Sequence, residues 1–224
     1  MPSEQMLVVA NSRKTGARCV AGVTLRNRRL VRPISPYGNG GLSDAECGVD
    51  GGTPQPLEIV SFMHKGSAGD PAQPENLVIA ATPWKRDGTA APDAALKVLI
   101  DVLHEGPVLF VNGGRAVPEH VATEGLEASL VLIEPKHLRF GHGPQAEAPY
   151  AGSPRALFGF GGQDWNLPVT DFDVGPKILR LPEGVYGWDE LGLHKPRRTL
   201  LTMSLGTAHE GWHHKLVAAV LRFP

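Results

Sequence analysis

Cysteine is nearly missing from this chain, aromatic residues are few, and between residues 5 and 43 there is no acidic side chain at all. Cys19 and Cys47 are the only two cysteines in 224 residues. Neither has a neighbour at metal-ligand spacing, so a thiolate zinc site is excluded by count. One disulfide between them stays open, but the expectation is a reduced, cytoplasmic protein. No apolar stretch approaches the ~20 residues that cross a bilayer. No basic lead followed by an apolar run is seen, so neither a signal peptide nor a membrane partner is expected. Aromatics make up only 6% of the residues, which makes each Trp a core candidate before it is a binding surface. Gly (27) and Pro (20) together exceed a fifth of the chain, which points to many short elements joined by turns.

The missing acids expose a cationic block. Arg13, Lys14, Arg18, Arg26, Arg28, Arg29 and Arg32 stand in that acid-free stretch, while the whole chain has a formal charge of -1. A local excess of one sign creates a positive field over one face, and a polyanion is the matching partner. A solvated strand edge guarded by charge is the plainer alternative. The binding reading is preferred because six of the seven are Arg, whose planar fork suits phosphates and bases.

Short β-rich segments follow one another along the chain. Residues 6–10 (MLVVA), 18–25 (RCVAGVTL) and 30–34 (LVRPI) read as a three-strand meander, with turns expected at 11–16 and 27–28. Strands are expected again at 57–63 and 76–81. One amphipathic helix is expected at 92–104, opened by Pro92 and stopped at Gly106-Pro107. A second series runs through 130–133, 138–140, 155–160, 163–170, 200–205 and 215–221, with a loop over 141–154 and a hairpin around Gly161-Gly162. Strands on both sides of a single helix predict a mostly β protein of two small barrels or sandwiches, not a wound α/β sheet. The boundaries read as 1–88, a linker over 89–125 that carries the helix, and 126–224.

Several segments together resemble the dual OB-containing domain family of bacterial proteins. They are VANSRKTGARCVAG at 9–22, LVRPIS at 30–35, LSDAEC at 42–47, DGGTPQPLEIVSF at 50–62, QPEN at 73–76, WNLPVTD at 165–171, and LLTMSLG and KLVAAVL near the end. The resemblance implies two consecutive OB-like β-barrels with nucleic-acid binding as the presumed activity, often in anti-phage or genome-conflict settings. It implies no established catalytic residue. An OB barrel grips single strands with a basic groove and aromatic platforms. The groove candidates are Arg13, Lys14, Arg18, Arg28, Arg29 and Arg32, and the platform candidates are Tyr37 and Trp84. Arg13 and Lys14 are expected in an exposed turn. Strand alternation would put Arg18, Val20, Gly22 and Thr24 on an outer face with Arg32 beside them, and Cys19, Ala21, Val23 and Leu25 inside the barrel.

Two other chemistries compete. His209-Glu210-Gly211-Trp212-His213 matches H-E-x-x-H, whose two His and one Glu serve a zinc hydrolase when a helix sets them on one face. Gly211 weakens a helix there, and the extended motif would need Gly and His where Leu216 and Ala219 stand, so a hairpin turn is expected instead. Asp164, Asp171 and Asp173 could hold magnesium for a nuclease, but Asp171 reads equally well as a strand-end turn residue. Ser204 lacks the context of a nucleophile elbow. The basic run His194, Lys195, Arg197 and Arg198 could extend the positive face. The preferred reading is a non-enzymatic nucleic-acid-binding module without cofactor or metal. The alternatives are a metal-dependent hydrolase or nuclease, and an adaptor that docks an acidic protein of the same system.

Overall fold

The computed structural model describes residues 1–143 and 152–224. Six strands form the first sheet: β1 (Ser3–Lys14), β2 (Ala17–Thr24), β3 (Leu30–Ile34), β4 (Glu58–Ser67), β5 (Asn76–Ile79) and β6 (Lys85–Thr89). Their order is β1-β2-β3-β5-β4, and β4 also pairs with β1, so the first five close on themselves. Only the β3–β5 pair is parallel. β1 holds both ends of the closure, pairing with β4 over residues 3–7 and with β2 over 6–14. A bulge between Val8 and Ala10 re-aims the strand where it leaves one partner for the other. Met6, Val8, Val20, Val31, Val60 and Phe62 fill the interior. Gly22 is required here, because a Cβ would stand 2.5 Å from Met6 Sδ and 2.9 Å from Leu7 O.

The expected inside and outside of β2 are exchanged. Val20 faces the barrel core. Ala21 and Val23 face outward and are nevertheless buried, packed with Leu7 and Val9 against the rest of the chain. Both faces of β1 and β2 are therefore apolar. That is why their sequences run as near-continuous hydrophobic stretches, and why alternation could not say which face was which.

The chain leaves β6 into α1 (Pro92–Ile100), which starts on Pro92 and buries Ala95 and Leu99. It ends four residues earlier than the expected 92–104: Leu103 bridges Leu132, and the His104 N–H donates to Leu132 O, which turns the chain into the sheet. The stretch expected as a linker also holds β7 (Ala116–Pro118) and α2 (Glu119–Thr123). Then come β8 (Leu130–Ile133), β9 (Lys136–His142), β10 (Arg155–Phe160), β11 (Gln163–Pro168), α3 (Val174–Leu179), β12 (Gly184–Tyr186), β13 (Arg198–Leu205) and β14 (Trp212–Phe223). Most of the loop expected at 141–154 lies outside the described residues. These strands make two four-stranded sheets, β11-β10-β9-β12 and β7-β14-β13-β8. A bridge between Val169 and Val217 ties them into a curled half-barrel around Phe140, Phe158, Trp165 and Trp188.

The two barrels are welded along β1 and β2. Leu7, Val9, Ala21 and Val23 pack on Leu130, Leu132, Leu200 and Leu221, with α1 closing the same cluster. Thr202 Oγ1 donates to Val9 O at 2.7 Å inside this seam. Because the seam covers the outer face of β2, little of that face is open to a ligand.

Candidate functional site

β1 reaches further than expected, so Arg13 and Lys14 sit at its end and not in a turn; the turn is Thr15-Gly16 alone. Arg13 is exposed and Lys14 half-buried, its Nζ donating to Asn39 O at 2.6 Å. That bond pins the loop after β3 beside Lys14, and the same loop carries Tyr37, which is 77% exposed. Arg18 is half-buried, paired with Asp44, and its guanidinium lies 4.5 Å from the ring centroid of Phe172. Arg13 approaches the same ring at 5.8 Å. Arg26, Arg28 and Arg29 project from the β2–β3 turn into solvent, with Arg28 at a φ of 53°.

Two expected contact residues are inside the protein. Arg32 is only 2% exposed. Its Nη1 donates to Asn76 Oδ1 (3.0 Å) and Ser129 Oγ (3.1 Å), and its Nη2 donates to Ser204 Oγ (3.0 Å) and Ser129 O (3.4 Å). It thus ties the first barrel to the second and does not share an outer face with Arg18. Trp84 is 5% exposed and stacks on Phe62 at 5.0 Å, so burial removes it as a platform.

A cleft of about 310 Å³ opens where the barrels meet. Arg13, Lys14 and Thr15 form one lip, and Thr207 and His209 belong to the β13–β14 side opposite. Ser12, Cys19, Arg32, Gln73 and Ser204 line it with polar groups, and Leu205, Leu216 and Ala218 add an apolar wall. Among the described residues its lining holds no Asp or Glu. Arg32 contributes to this lining, and its buried Nε–H has no acceptor among the described residues. Burial holds the Lys14 ammonium below its ordinary range; Cys19 opposes that shift and the charge of Arg32 adds to it. Burial likewise lowers His214, with His209 and His213 acting in the same sense and Glu210 against them. Positive charge is gathered at a lining without a carboxylate; Glu75 stands behind it, its Oε2 accepting at 2.6 Å from the Ser129 hydroxyl that Arg32 also contacts.

Gln73 and His214 are not among the residues the sequence offers for the site, and His209 enters there only through the zinc-hydrolase alternative. Gln73 Nε2 donates to Leu205 O at 3.1 Å, and its Oε1 accepts from Asn76. Its place in the cleft depends on a contact between barrels, and the only signal in the sequence was the QPEN segment itself.

The hydrolase motifs resolve otherwise. His209 and Trp212 bridge each other around Glu210 (φ 49°) and Gly211 (φ 81°), a two-residue hairpin turn with both central residues left-handed. His213 is buried, its Nδ1 2.8 Å from Gly206 O. The helix that would set both His on a metal is therefore not there. Asp171 is buried as a backbone clamp, its carboxylate accepting from the N–H groups of Asp173, Val174 and Val220. Desolvation raises its pKa against those bonds. Asp173 pairs with Lys177 and Arg222. Asp164 is exposed at the start of β11. Among the described residues no group of three or more His, Cys, Asp or Glu is placed to hold a metal ion. Arg198 is engaged by Glu134 in a two-pronged pair.

A five-stranded barrel closed in the order 1-2-3-5-4, followed by a curled half-barrel, makes this a tandem OB-type protein. The profile of the dual OB-containing domain family matches residues 4–220, nearly the whole length, and the chain belongs to that family. No curated protein and no solved structure gives a significant match. No helix among the described residues is long and apolar enough to cross a membrane.

Proposed function

We propose that this protein binds single-stranded nucleic acid, and that the cleft between its two OB-like units, taken as residues 1–88 and 126–224, is where the phosphate backbone is held. OB barrels use the β2–β3 face and the loops after the first and fourth strands for oligonucleotides. Here the outer face of β2 is covered by the second barrel. What stays open is the rim, where the end of β1 supplies Lys14, the first loop Thr15 and the loop before β5 Gln73. The observation that carries the reading is the acid-free, cation-lined cleft at that rim. Tyr37, on the loop pinned by Lys14, is the side chain available to stack on a base.

Counterion release makes such binding fall steeply with salt. Titration against single-stranded DNA, single-stranded RNA and duplex at several salt concentrations should show single strands preferred, because the cleft has no room for a duplex. Absence of binding to all three at low salt would overturn the reading.

A further inference from the structure

The cleft is closed at its back. The Arg13 N–H donates to Thr170 O at 2.8 Å, next to a bridge between Ser12 and Asp171. Arg32 is bonded across the joint to Ser129 and Ser204, and Gln73 to Leu205 O. A strand entering between the lips meets these three ties and has no exit. Its volume of about 310 Å³ lies at the small end for ligand pockets, which suits one mononucleotide-sized group and not a passing chain.

We propose that this is a blind pocket for a phosphomonoester, the terminal phosphate of a single strand or of a mononucleotide, with the Arg32 Nε–H and the Lys14 ammonium as donors and Arg13 at the mouth. The inference rests on the functional reading above and narrows it. Charge decides between an end and an internal linkage. A phosphodiester carries one negative charge, whereas a terminal phosphate carries about 1.5 to 2 near neutral pH and offers three acceptor oxygens. The lining presents Arg32 and the half-buried Lys14 with no carboxylate among the described residues, and Glu75, which stands behind Ser129, is taken up by the Ser129 hydroxyl and the Ser129 and Leu130 N–H groups, so two cations face the doubly charged group. The Arg32 Nε–H is the informative feature. Every other donor of that guanidinium already has an acceptor, while this one is desolvated and unmet, a cost that a ligand oxygen would remove. A dianion beside Lys14 would also relieve the repulsion that Arg32 imposes on it. The wall of Leu205, Leu216 and Ala218 offers the attached nucleoside an apolar surface.

The test uses the full chain in calorimetric titrations. The probes are inorganic phosphate, adenosine 5′-monophosphate, adenosine, and one short single-stranded oligonucleotide made with a 5′-phosphate, with a 3′-phosphate and with hydroxyls at both ends. At least one phosphorylated end, and the monophosphate over adenosine, should bind about tenfold or more tightly. Lys14→Gln, at a half-exposed position, should fold like the parent and lose that preference. Arg32→Lys, followed by thermal melting to confirm folding, should lose it too. Equal affinity for all three strands would overturn the pocket while leaving single-strand binding intact. Binding of the monophosphate without binding of any strand would uphold the pocket and overturn the polymer reading. If no phosphorylated probe binds more tightly than its unphosphorylated counterpart, the inference is wrong.

Discussion

Arg32 in the first barrel and Lys215 in the second are both buried cations, and they are buried in different ways. Lys215 is fully enclosed, and its ammonium donates to Leu109 O (2.8 Å), Asn112 O (2.6 Å) and Asn112 Oδ1 (2.9 Å). The Trp165 ring lies 4.9 Å away on another side. Three donors meet three acceptors, so nothing is left for a ligand. Arg32 spends three contacts on the joint and one on Asn76 of its own barrel, and keeps one N–H unmet beside a cleft. Burial of charge is thus a poor mark of a site by itself. An unmet donor beside a cavity is the better one.

The largest expected effect comes from removing Arg32. Arg32→Met would leave acceptors on Asn76, Ser129 and Ser204 desolvated and without their donor, at a cost of about 3 kcal/mol. Urea unfolding should show that loss, and an unchanged midpoint would mean that Arg32 does not hold the barrels together. Lys215→Met should cost less, about 2 kcal/mol, because the three orphaned acceptors are partly offset by no longer burying a charge. Phosphate and strand binding should survive in that variant, which is what separates the two cations. If Lys215→Met abolished binding while staying folded, the comparison would collapse.

Acidity sharpens the same contrast. Burial pushes the Lys215 ammonium down to about 8, against about 10.4 in an unfolded chain. A base with a lowered folded pKa penalises folding while it is protonated in both states, below about 8. The penalty fades as pH rises toward 10.4, where the folded protein has already released the proton. The stability of the parent relative to Lys215→Met should therefore increase between those values. Paired urea titrations at pH 7 and pH 9.5 would read it, and a difference of the opposite sign would mean the three acceptors hold the charged form more firmly than burial opposes it.

How much of this was legible follows from what each residue depends on. The strands were plain where short apolar runs stood with Pro or Gly at or near their ends, as at 30–34 (Pro33), 130–133 (Pro135) and 155–160 (Pro154 and Gly161). The turn at Glu210-Gly211 was readable from Gly211 itself. β6, with the sequence KRDGT, carries no apolar pattern; it is a strand because β4 offers it an edge. The two faces of β2 were indistinguishable because each is covered, one by the barrel and the other by its neighbour. Arg32 looked like the other arginines because the polar partners that bury it come from residues 76, 129 and 204. Arg26, Arg28 and Arg29 depend on nothing distant, and the β2–β3 turn puts them where the sequence suggested.

That turn provides the smallest effect on stability and the last prediction. The cleft lies at one end of β2, and the three arginines stand at its other end, about 26 Å away for eight residues of strand. They form no ion pair among the described residues, and they are exposed. Replacing Arg26, Arg28 and Arg29 together by Ala should therefore move the unfolding free energy by no more than about 0.5 kcal/mol. If a bound strand reaches over the surface from the cleft to this turn, the triple variant should bind every sequence more weakly and lower the magnitude of its salt slope by about two. The preference for a phosphorylated end, which belongs to Lys14 and Arg32, should stay as in the parent. A variant with the parent's affinity and salt slope would confine binding to the cleft and leave the turn as a solvated, charge-guarded corner. Loss of the end preference in the same variant would instead break the division between a general electrostatic surface and a specific pocket.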